Sequence, residues 1–157
     1  IRFMMLNRSN DVELDFDFDK VKEKTKDNPI FYVQYAYARI NSLLRTLNLN
    51  LLKKVDFNDS NFDFNQMEEK IIRKVFEWPK IIDSASKNFD LHKIPFYLYE
   101  LSTLFHAYWS KGNENKNYKF IKNDKIKRKE ILSVINLVAL VIQNGMGILG
   151  VSLPKKM

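Results

Sequence analysis

The feature that most constrains the fold is an almost uninterrupted apolar run near the C-terminus, "ILSVINLVALVI" at residues 131–142, in which only Ser133 and Asn136 are polar. A helix that is apolar all round has no face suited to water, so other elements must cover it on every side. The run is short and broken by polar residues, which argues against a helix that crosses a bilayer. It therefore predicts a last helix, at about residues 127–144, that is buried in a helix bundle.

Three further helical patterns precede this run. Asn28 is a favourable N-cap and Pro29 a favourable first helical residue, so together they predict the start of a helix. A second pattern is interrupted at Trp78-Pro79, because proline removes a backbone donor and clashes with the preceding turn. The fold class predicted from these patterns is all-α. The predicted ranges are 29–47, 65–88 with the break at the proline, and 94–110.

The segment "DVELDFDFD" at residues 11–19 alternates apolar and acidic side chains with a period of two. Such alternation predicts an extended segment with one apolar face and one acidic face. Its carboxylates would fan out along the strand instead of converging on one ion, so we predict no metal site there. Residues 48–62 are rich in asparagine and aspartate and predict a loop.

The charge of the chain favours a polyanionic partner. Its formal net charge is +7, and residues 20–157 carry 24 basic and 14 acidic side chains. A basic domain of this kind, with a pI of about 9.5, makes nucleic acid the first candidate partner. An incidental, solvated basic surface is the alternative. The densest basic stretch is residues 111–129. Its predicted phosphate-contact residues are Lys122, Lys125, Lys127, Arg128 and Lys129.

The chain is poor in catalytic residues. It has no cysteine, which excludes a disulfide framework and a thiolate site and favours a cytoplasmic location. Its histidines, His92 and His106, lack the spacing of zinc ligands. Gly145, Gly147 and Gly150 match G-x-G-x-x-G, but a dinucleotide site needs a strand before that turn and a helix after it. We therefore expect the first two glycines to cap and turn the last helix, and this chain not to be an enzyme by itself.

Aromatic and cationic side chains indicate a binding site instead. Tyr32, Tyr35 and Arg39 follow one another at i, i+3 and i+7 beside the apolar stripe of the first long helix, and Tyr97 opens another apolar face. Aromatic faces and a guanidinium plane are what the unstacked bases of single-stranded RNA require. The alternative is that the tyrosines close the rim of the core and Arg39 forms an ion pair. The spacing leaves both interpretations open.

Several segments, in order along the whole chain, resemble class I arginyl-tRNA synthetases. "NPIFYVQYAYARI" at residues 28–40 resembles their N-P-x-Y-Y-V-Q-Y-A-H-A-R segment, and "FYLYELSTLFHAYW" at residues 96–109 resembles their Y-L-x-x-L helix. The final "GILGVSLPKKM" resembles their L-L-G-V-x-x-P-E-x-M ending, and "RFMMLNRSNDVELDFDFD" resembles the segment that leads out of their catalytic domain. By this resemblance the chain is similar to their helical anticodon-binding domain of the DALR type.

The resemblance implies which residues contact the anticodon. Arg39 and nearby aromatic residues would contact the splayed loop, Tyr97 would lie by the middle anticodon base, and the chain end at Met157 would approach the same pocket. Three residues depart from the family pattern: Tyr37, where histidine is usual, Leu91, where proline is common, and Lys155, where glutamate is usual. The RNA-binding residues implied in this way are Tyr32, Gln34, Tyr35, Arg39, Tyr97 and Met157.

The resemblance also implies an organisation and a function. Residues 1–27 would be a short extended remnant of the catalytic domain, and residues 28–157 the helical anticodon-binding domain. The intact enzyme would join arginine to tRNA(Arg) in the cytoplasm with ATP, whereas this chain lacks motifs of the H-I-G-H and K-M-S-K type and should be inactive alone. We expect tRNA(Arg) and the catalytic domain as partners, no membrane, and no cofactor or metal in this piece. A different hypothesis is a helical protein-interaction module whose basic surface is incidental.

Overall fold

The computed structural model describes residues 1–9, 13, 17–25, 27–51, 64–122, 125–126 and 129–157. In these residues the regular secondary structure is helical apart from one short hairpin, and the predicted all-α bundle is confirmed. The helices are α1 (Arg2–Leu6), α2 (Phe18–Lys22), α3 (Pro29–Thr46), α4 (Gln66–Phe76), α5 (Trp78–Asn88), α6 (Lys93–Glu114) and α7 (Lys129–Ile148). Between α6 and α7 lie a 3-10 turn, Lys116–Tyr118, and the antiparallel strands β1 (Ile121–Lys122) and β2 (Lys125–Ile126).

Helix α3 begins where the Asn28-Pro29 pair predicts. Pro29 lies in its first turn, and the helix covers almost all of residues 29–47, so this prediction is confirmed. The buried Asn28 side chain bonds backward along the chain, because its Nδ2 donates to the carbonyl oxygens of Val21 (2.9 Å) and Glu23 (2.8 Å). It thereby ties the preceding segment to the start of α3.

Helices α4 and α5 are separated at the predicted proline break. Helix α4 ends at Phe76, Glu77 forms the joint, and α5 restarts with Pro79 in its first turn. The missing N–H of proline has no intrahelical partner to lose in a first turn, so the residue is tolerated there. One continuous sequence pattern therefore folds as two helices.

The start of α4 is fixed by a capping box. The Asn65 side chain accepts hydrogen bonds from the backbone N–H groups of Met67 (2.9 Å) and Glu68 (3.1 Å), and Glu68 Oε2 accepts one from the Asn65 N–H (3.0 Å). Glu68 is fully buried, and its Oε1 accepts a hydrogen bond from the Tyr108 hydroxyl of α6. The same carboxylate therefore caps α4 and joins it to α6.

Helix α7 is the buried helix predicted from the apolar run. Val138, Ile142 and Met146 are fully buried, and α7 packs against α3, α4 and α6. By length and hydropathy its segment Glu130–Ile148 would suffice to cross a membrane, so the prediction that it is too short was wrong. However, 67% of the apolar window is buried inside the protein. Burial by neighbouring helices, not length, marks α7 as a core helix.

The glycines near the C-terminus have different roles from those predicted. Gly145 and Gly147 lie inside α7, so the prediction that they cap it was wrong. A Cβ on Gly145 would lie 2.9 Å from side-chain carbons of Leu98 and Trp78, and the glycine thus allows these side chains to approach the helix. Gly150, with φ of +64°, makes the turn instead, in a conformation that glycine adopts without steric cost.

Alanine at two of these glycines is expected to have opposite effects on stability. Nothing lies within 4 Å of a Cβ at Gly147, so Gly147→Ala should raise the free energy of unfolding by up to about 1 kcal/mol through helix propensity. Gly150→Ala should lower it by about 1–2 kcal/mol, since its φ is positive and the Cβ would meet the Arg2 guanidinium. Urea unfolding of both variants tests this, and changes of the same sign would contradict it.

The N-terminal segment, residues 1–27, contains two short helices in its described part. Residues 10–12 and 14–16 lie outside the described residues, but the last two residues of the alternating pattern begin α2. The Asp17 carboxylate accepts a hydrogen bond from the Asp19 N–H (2.9 Å), a local contact that favours a helical turn. Upstream, α1 buries Phe3 completely. Residues 1–27 thus include the helices α1 and α2, which the predicted extended form did not anticipate, whereas the extended form of residues 11–17 stays a prediction.

Two predictions are not decided by the structure. Of the predicted loop at residues 48–62, residues 52–62 lie outside the described residues; its first residue, Asn48, has a left-handed φ of 52°. The division between residues 1–27 and 28–157 also stays a prediction.

Candidate nucleic-acid interface

Tyr32, Tyr35 and Arg39 lie on one side of α3, as their spacing predicts, and each is partly exposed. Arg39 Nη2 donates a hydrogen bond to the Tyr35 hydroxyl (2.8 Å), and the guanidinium carbon lies 4.2 Å from the centre of the Tyr35 ring. The ring centre of Trp109, on the facing helix α6, is 5.3 Å from the same carbon. Both rings are thus close enough for a cation–π contact with the guanidinium.

His106 of α6 fixes the other side of this guanidinium. Its Nδ1 lies 3.2 Å from Arg39 Nη1, and its Nε2 lies 3.1 Å from the carbonyl oxygen of Tyr32. Arginine can only donate, so Nδ1 accepts from Arg39 while Nε2 carries the proton and donates to the carbonyl. The imidazole also packs against the Tyr32 ring, with 4.3 Å between ring centres. It thus joins α6 to α3 through both nitrogens.

The surroundings of His106 keep its ring neutral. Burial lowers the pKa of His106 to about 4, and the positive charge of Arg39 acts in the same direction. The hydrogen bond to the Tyr32 carbonyl opposes this shift but does not cancel it. The imidazole is therefore an uncharged acceptor for Arg39 at pH 7.

A pocket of about 490 Å³ opens beside these residues. The C-terminal Met157 reaches it, as the resemblance implied, and lies with Tyr35 and Arg39 in one lining. Aromatic rings, cations and the hydroxyls of Tyr35 and Ser42 dominate this lining, which suits a planar, polar ligand better than an apolar one. The complete lining is Tyr35, Ala38, Arg39, Ser42, Arg45, Trp109, Lys156 and Met157.

Two hydrogen bonds from α3 hold the C-terminal segment, residues 151–157, beside this pocket. Gln34 Nε2 donates to the Ser152 carbonyl (2.9 Å), and Arg45 Nη1 donates to the Lys155 carbonyl (2.8 Å). Gln34, predicted as an RNA-binding residue, therefore positions the C-terminal segment in this structure. Its direct contact with RNA stays a prediction.

Tyr97 lies elsewhere. It is 2% exposed, its ring centre is 5.1 Å from that of Trp78, and its hydroxyl donates to the Lys74 carbonyl of α4. Tyr97 and His106 are nine positions apart on α6, which places them on opposite sides of a helix with 3.6 residues per turn. The structure therefore does not bring Tyr97 to the pocket at Arg39, and its burial argues against base stacking.

The basic stretch predicted to contact phosphates is only partly described. Lys122 pairs with Lys125 in the backbone of the hairpin, and Lys129 begins α7, but the side chains of all three are outside the described structure. Lys127 and Arg128 lie wholly outside the described residues. Phosphate contacts by these five residues stay a prediction.

His106, Trp109 and Arg45 also belong to this site, although the sequence patterns did not predict them. His106 and Trp109 lie three positions apart on α6, and only the packing of α6 on α3 brings them to Arg39. Their spacing of nearly one helical turn, next to the Y-L-x-x-L pattern, was the available signal. Among the described residues, the cations that line the pocket come from α3 and the C-terminal segment.

Relatives of known name are similar over the whole chain. This chain is 51% identical over 156 residues to an arginine–tRNA ligase of Pelagibacter ubique, and the match covers 99% of this chain and 27% of the relative. It is 39% identical to the enzyme of Roseobacter denitrificans and 42% identical to that of Brucella ovis, covering 99% and 100% of this chain and 28% of each relative. The chain therefore spans a little over a quarter of these relatives.

Solved structures agree on the fold. An arginyl-tRNA synthetase from Campylobacter jejuni superposes with a TM-score of 0.82 at 26% identity, over 99% of this chain and 32% of that one. The Thermus thermophilus arginyl-tRNA synthetase, at 20% identity, shows the same fold with a TM-score of 0.73, over 99% of this chain and 26% of that one. The sequence model of the family described as "DALR anticodon binding domain" matches residues 33–157. The chain belongs to the DALR anticodon-binding domain family.

Proposed function

We propose that this chain binds the anticodon loop of tRNA(Arg) as part of a cytoplasmic arginyl-tRNA synthetase. Family membership and the names of the relatives support the proposal, and the pocket at Arg39 is the observation that carries it. The complete protein would join arginine to the tRNA with ATP, whereas this chain would contribute binding. Residues 1–27 would connect it to the catalytic part, and residues 28–157 would form the anticodon-binding bundle.

The pocket has the chemistry to bind one unstacked base. Tyr35 and Trp109 supply aromatic surface, on which bases stack irrespective of sequence. A guanidinium carries five N–H donors, more than the hydrogen bonds from Arg39 to Tyr35 and His106 require. The Watson–Crick edge of cytosine presents acceptors that suit such a donor. Since all arginine anticodons share a middle cytosine, we assign that base to this pocket.

Phosphate contacts would supply much of the affinity. Arg45 and Lys156 line the pocket, and both are exposed, as is Lys155 beside them. Cations in this position can hold the backbone on either side of a bound base, which fixes its orientation without specifying its identity. The predicted phosphate-contact residues between 122 and 129, within the basic stretch 111–129, would extend this contact.

The test is the affinity of this chain for two arginine anticodon stem-loops that differ only in the middle base, cytosine or uracil, over a salt series. We expect the cytosine loop to bind about tenfold more tightly, equivalent to about 1.4 kcal/mol. Both affinities should fall steeply with salt, as phosphate contacts require. Equal affinities would overturn base recognition, and weak binding without salt dependence would favour a protein-interaction module.

Arg39→Ala is expected to weaken binding of the cytosine loop by about 1–3 kcal/mol and to reduce its advantage over the uracil loop. The substitution removes the base donor while leaving the exposed cations in place. Arg73→Ala is the matched control, because the Arg73 side chain is 80% exposed on α4. Fluorescence anisotropy of labelled loops measures both variants. Wild-type affinity in Arg39→Ala would remove Arg39 from the site.

A further inference from the structure

A second pocket lies beside the C-terminal segment. Its volume of about 490 Å³ matches that of the pocket at Arg39, and it is formed by α3, the turn that follows α3, the C-terminal segment and α7. Three carboxamide side chains line it, Asn41 from α3, Asn50 from the turn and Gln143 from α7. The lining of the first pocket consists mainly of rings and cations, so the two pockets differ in chemistry.

The two pockets adjoin each other. Arg45 lines both, while Lys156 lines the first and Lys155 the second. The hydrogen bond from Arg45 Nη1 to the Lys155 carbonyl holds the C-terminal segment on α3 at this boundary. Adjacent positions of α3 divide between the pockets, with Ser42 in the first lining and Asn41 in the second.

This arrangement fits two consecutive nucleotides. Neighbouring nucleotides of an unstacked loop are joined by one phosphate, and the exposed cations Arg45 and Lys155 lie where two adjacent pockets would place it. Carboxamides both donate and accept, so they can bind the edge of a base. Leu49 and Leu51, both partly exposed, supply apolar surface for its face. The second pocket therefore combines a base edge, a base face and a phosphate contact.

We propose that the second pocket binds an unstacked nucleotide directly adjacent to the base held at Arg39, and that Gln143 and Asn50 contact its base. The inference rests on the proposed function, since the loop must first be anchored at Arg39. It makes the domain a reader of two neighbouring nucleotides separated by its own C-terminal segment.

The experiment is a double-mutant cycle between the protein and the RNA. Wild type and Gln143→Ala are titrated with the arginine anticodon stem-loop and with two loops that lack the base 5′ or 3′ of the middle cytosine. We expect one abasic loop to bind wild type about five- to fiftyfold more weakly than the intact loop. Gln143→Ala should weaken binding of the intact loop. For the abasic loop that binds weakly, the affinities of Gln143→Ala and wild type should differ by less than about twofold.

Controls separate this inference from the function on which it rests. Gln66→Ala, at an exposed position of α4, should leave all affinities unchanged. Asn50→Ala should reproduce Gln143→Ala and shows that the effect does not come from a change in α7. The second pocket alone is overturned if the chain prefers the middle cytosine but the affinity losses from Gln143→Ala and from the abasic loop simply add. It is also overturned if neither abasic loop binds wild type more weakly than the intact loop. Failure of wild type to bind any loop overturns both proposals.

Discussion

Glu68→Ala is expected to lower the free energy of unfolding by about 3–5 kcal/mol. Alanine removes the acceptor for the Asn65 N–H in the capping box, the acceptor for the Tyr108 hydroxyl, and the volume of a fully buried side chain. Loss of the cap costs about 1 kcal/mol. A buried hydroxyl deprived of this acceptor costs about 1–3 kcal/mol, and the cavity adds about 1 kcal/mol.

The neighbouring carboxylate provides the control. Glu69 also lies in the first turn of α4, but its side chain is 52% exposed, so Glu69→Ala should change stability by less than about 0.5 kcal/mol. Glu68→Gln keeps an acceptor oxygen for one partner only, so its loss in the free energy of unfolding should lie between those of Glu68→Ala and Glu69→Ala. Urea unfolding of the three variants tests this order. A loss below about 1 kcal/mol for Glu68→Ala would show that the buried carboxylate does not couple α4 to α6.

The sequence predicts the helices of this fold because their signals are local. The Asn28-Pro29 start, the break at Pro79 and the apolar run of α7 each act within a few residues, and the structure confirms them. The burial of Glu68 is not local, since a helical carboxylate is usually exposed and the Tyr108 hydroxyl that bonds its second oxygen belongs to another helix. Similarly, Gly145 serves the approach of side chains from α5 and α6, which no local pattern encodes.

The same distinction applies to the candidate site. The spacing of Tyr32, Tyr35 and Arg39 within one helix predicts their shared face, and the structure places them there. His106 belongs to another helix, so its place beside Arg39 depends on how α6 packs against α3. Tyr97 was predicted to lie at the site, but it is buried on the side of α6 that faces α4. A motif that resembles a family segment does not reveal which side of the helix faces the pocket. Contacts within an element are predictable, whereas contacts between elements require the packed structure.

Acid is expected to destabilise the protein through His106, by up to about 3 kcal/mol. Its pKa is about 4 in the folded chain, compared with an ordinary value of 6.5. Between these values the unfolded chain binds a proton that the folded chain does not. The free energy of unfolding should therefore fall as the pH is lowered from about 6.5 to about 4, and this contribution should level off below that range.

The variant His106→Gln separates the effect of His106 from that of the carboxylates, because the carboxylates titrate in wild type and in the variant alike. Between pH 7 and pH 4 the stability difference between wild type and His106→Gln should change by about 3 kcal/mol in favour of the variant. Urea unfolding at several pH values measures it. A constant difference across that range would mean that His106 titrates alike in the folded and unfolded chains.

The lowered pKa of His106 also matters for the proposed RNA recognition, because a proton and the Arg39 guanidinium compete for His106 Nδ1. Nδ1 accepts from Arg39 only while the imidazole is neutral, and protonation would place two cations 3.2 Å apart beside the Tyr35 ring. An NMR titration of the His106 ring carbons should show the neutral form down to about pH 4. A pKa near 6.5 for His106 in the folded chain would instead mean that Nδ1 does not accept a hydrogen bond from Arg39. The guanidinium would then lack the contact that orients it for the proposed base recognition.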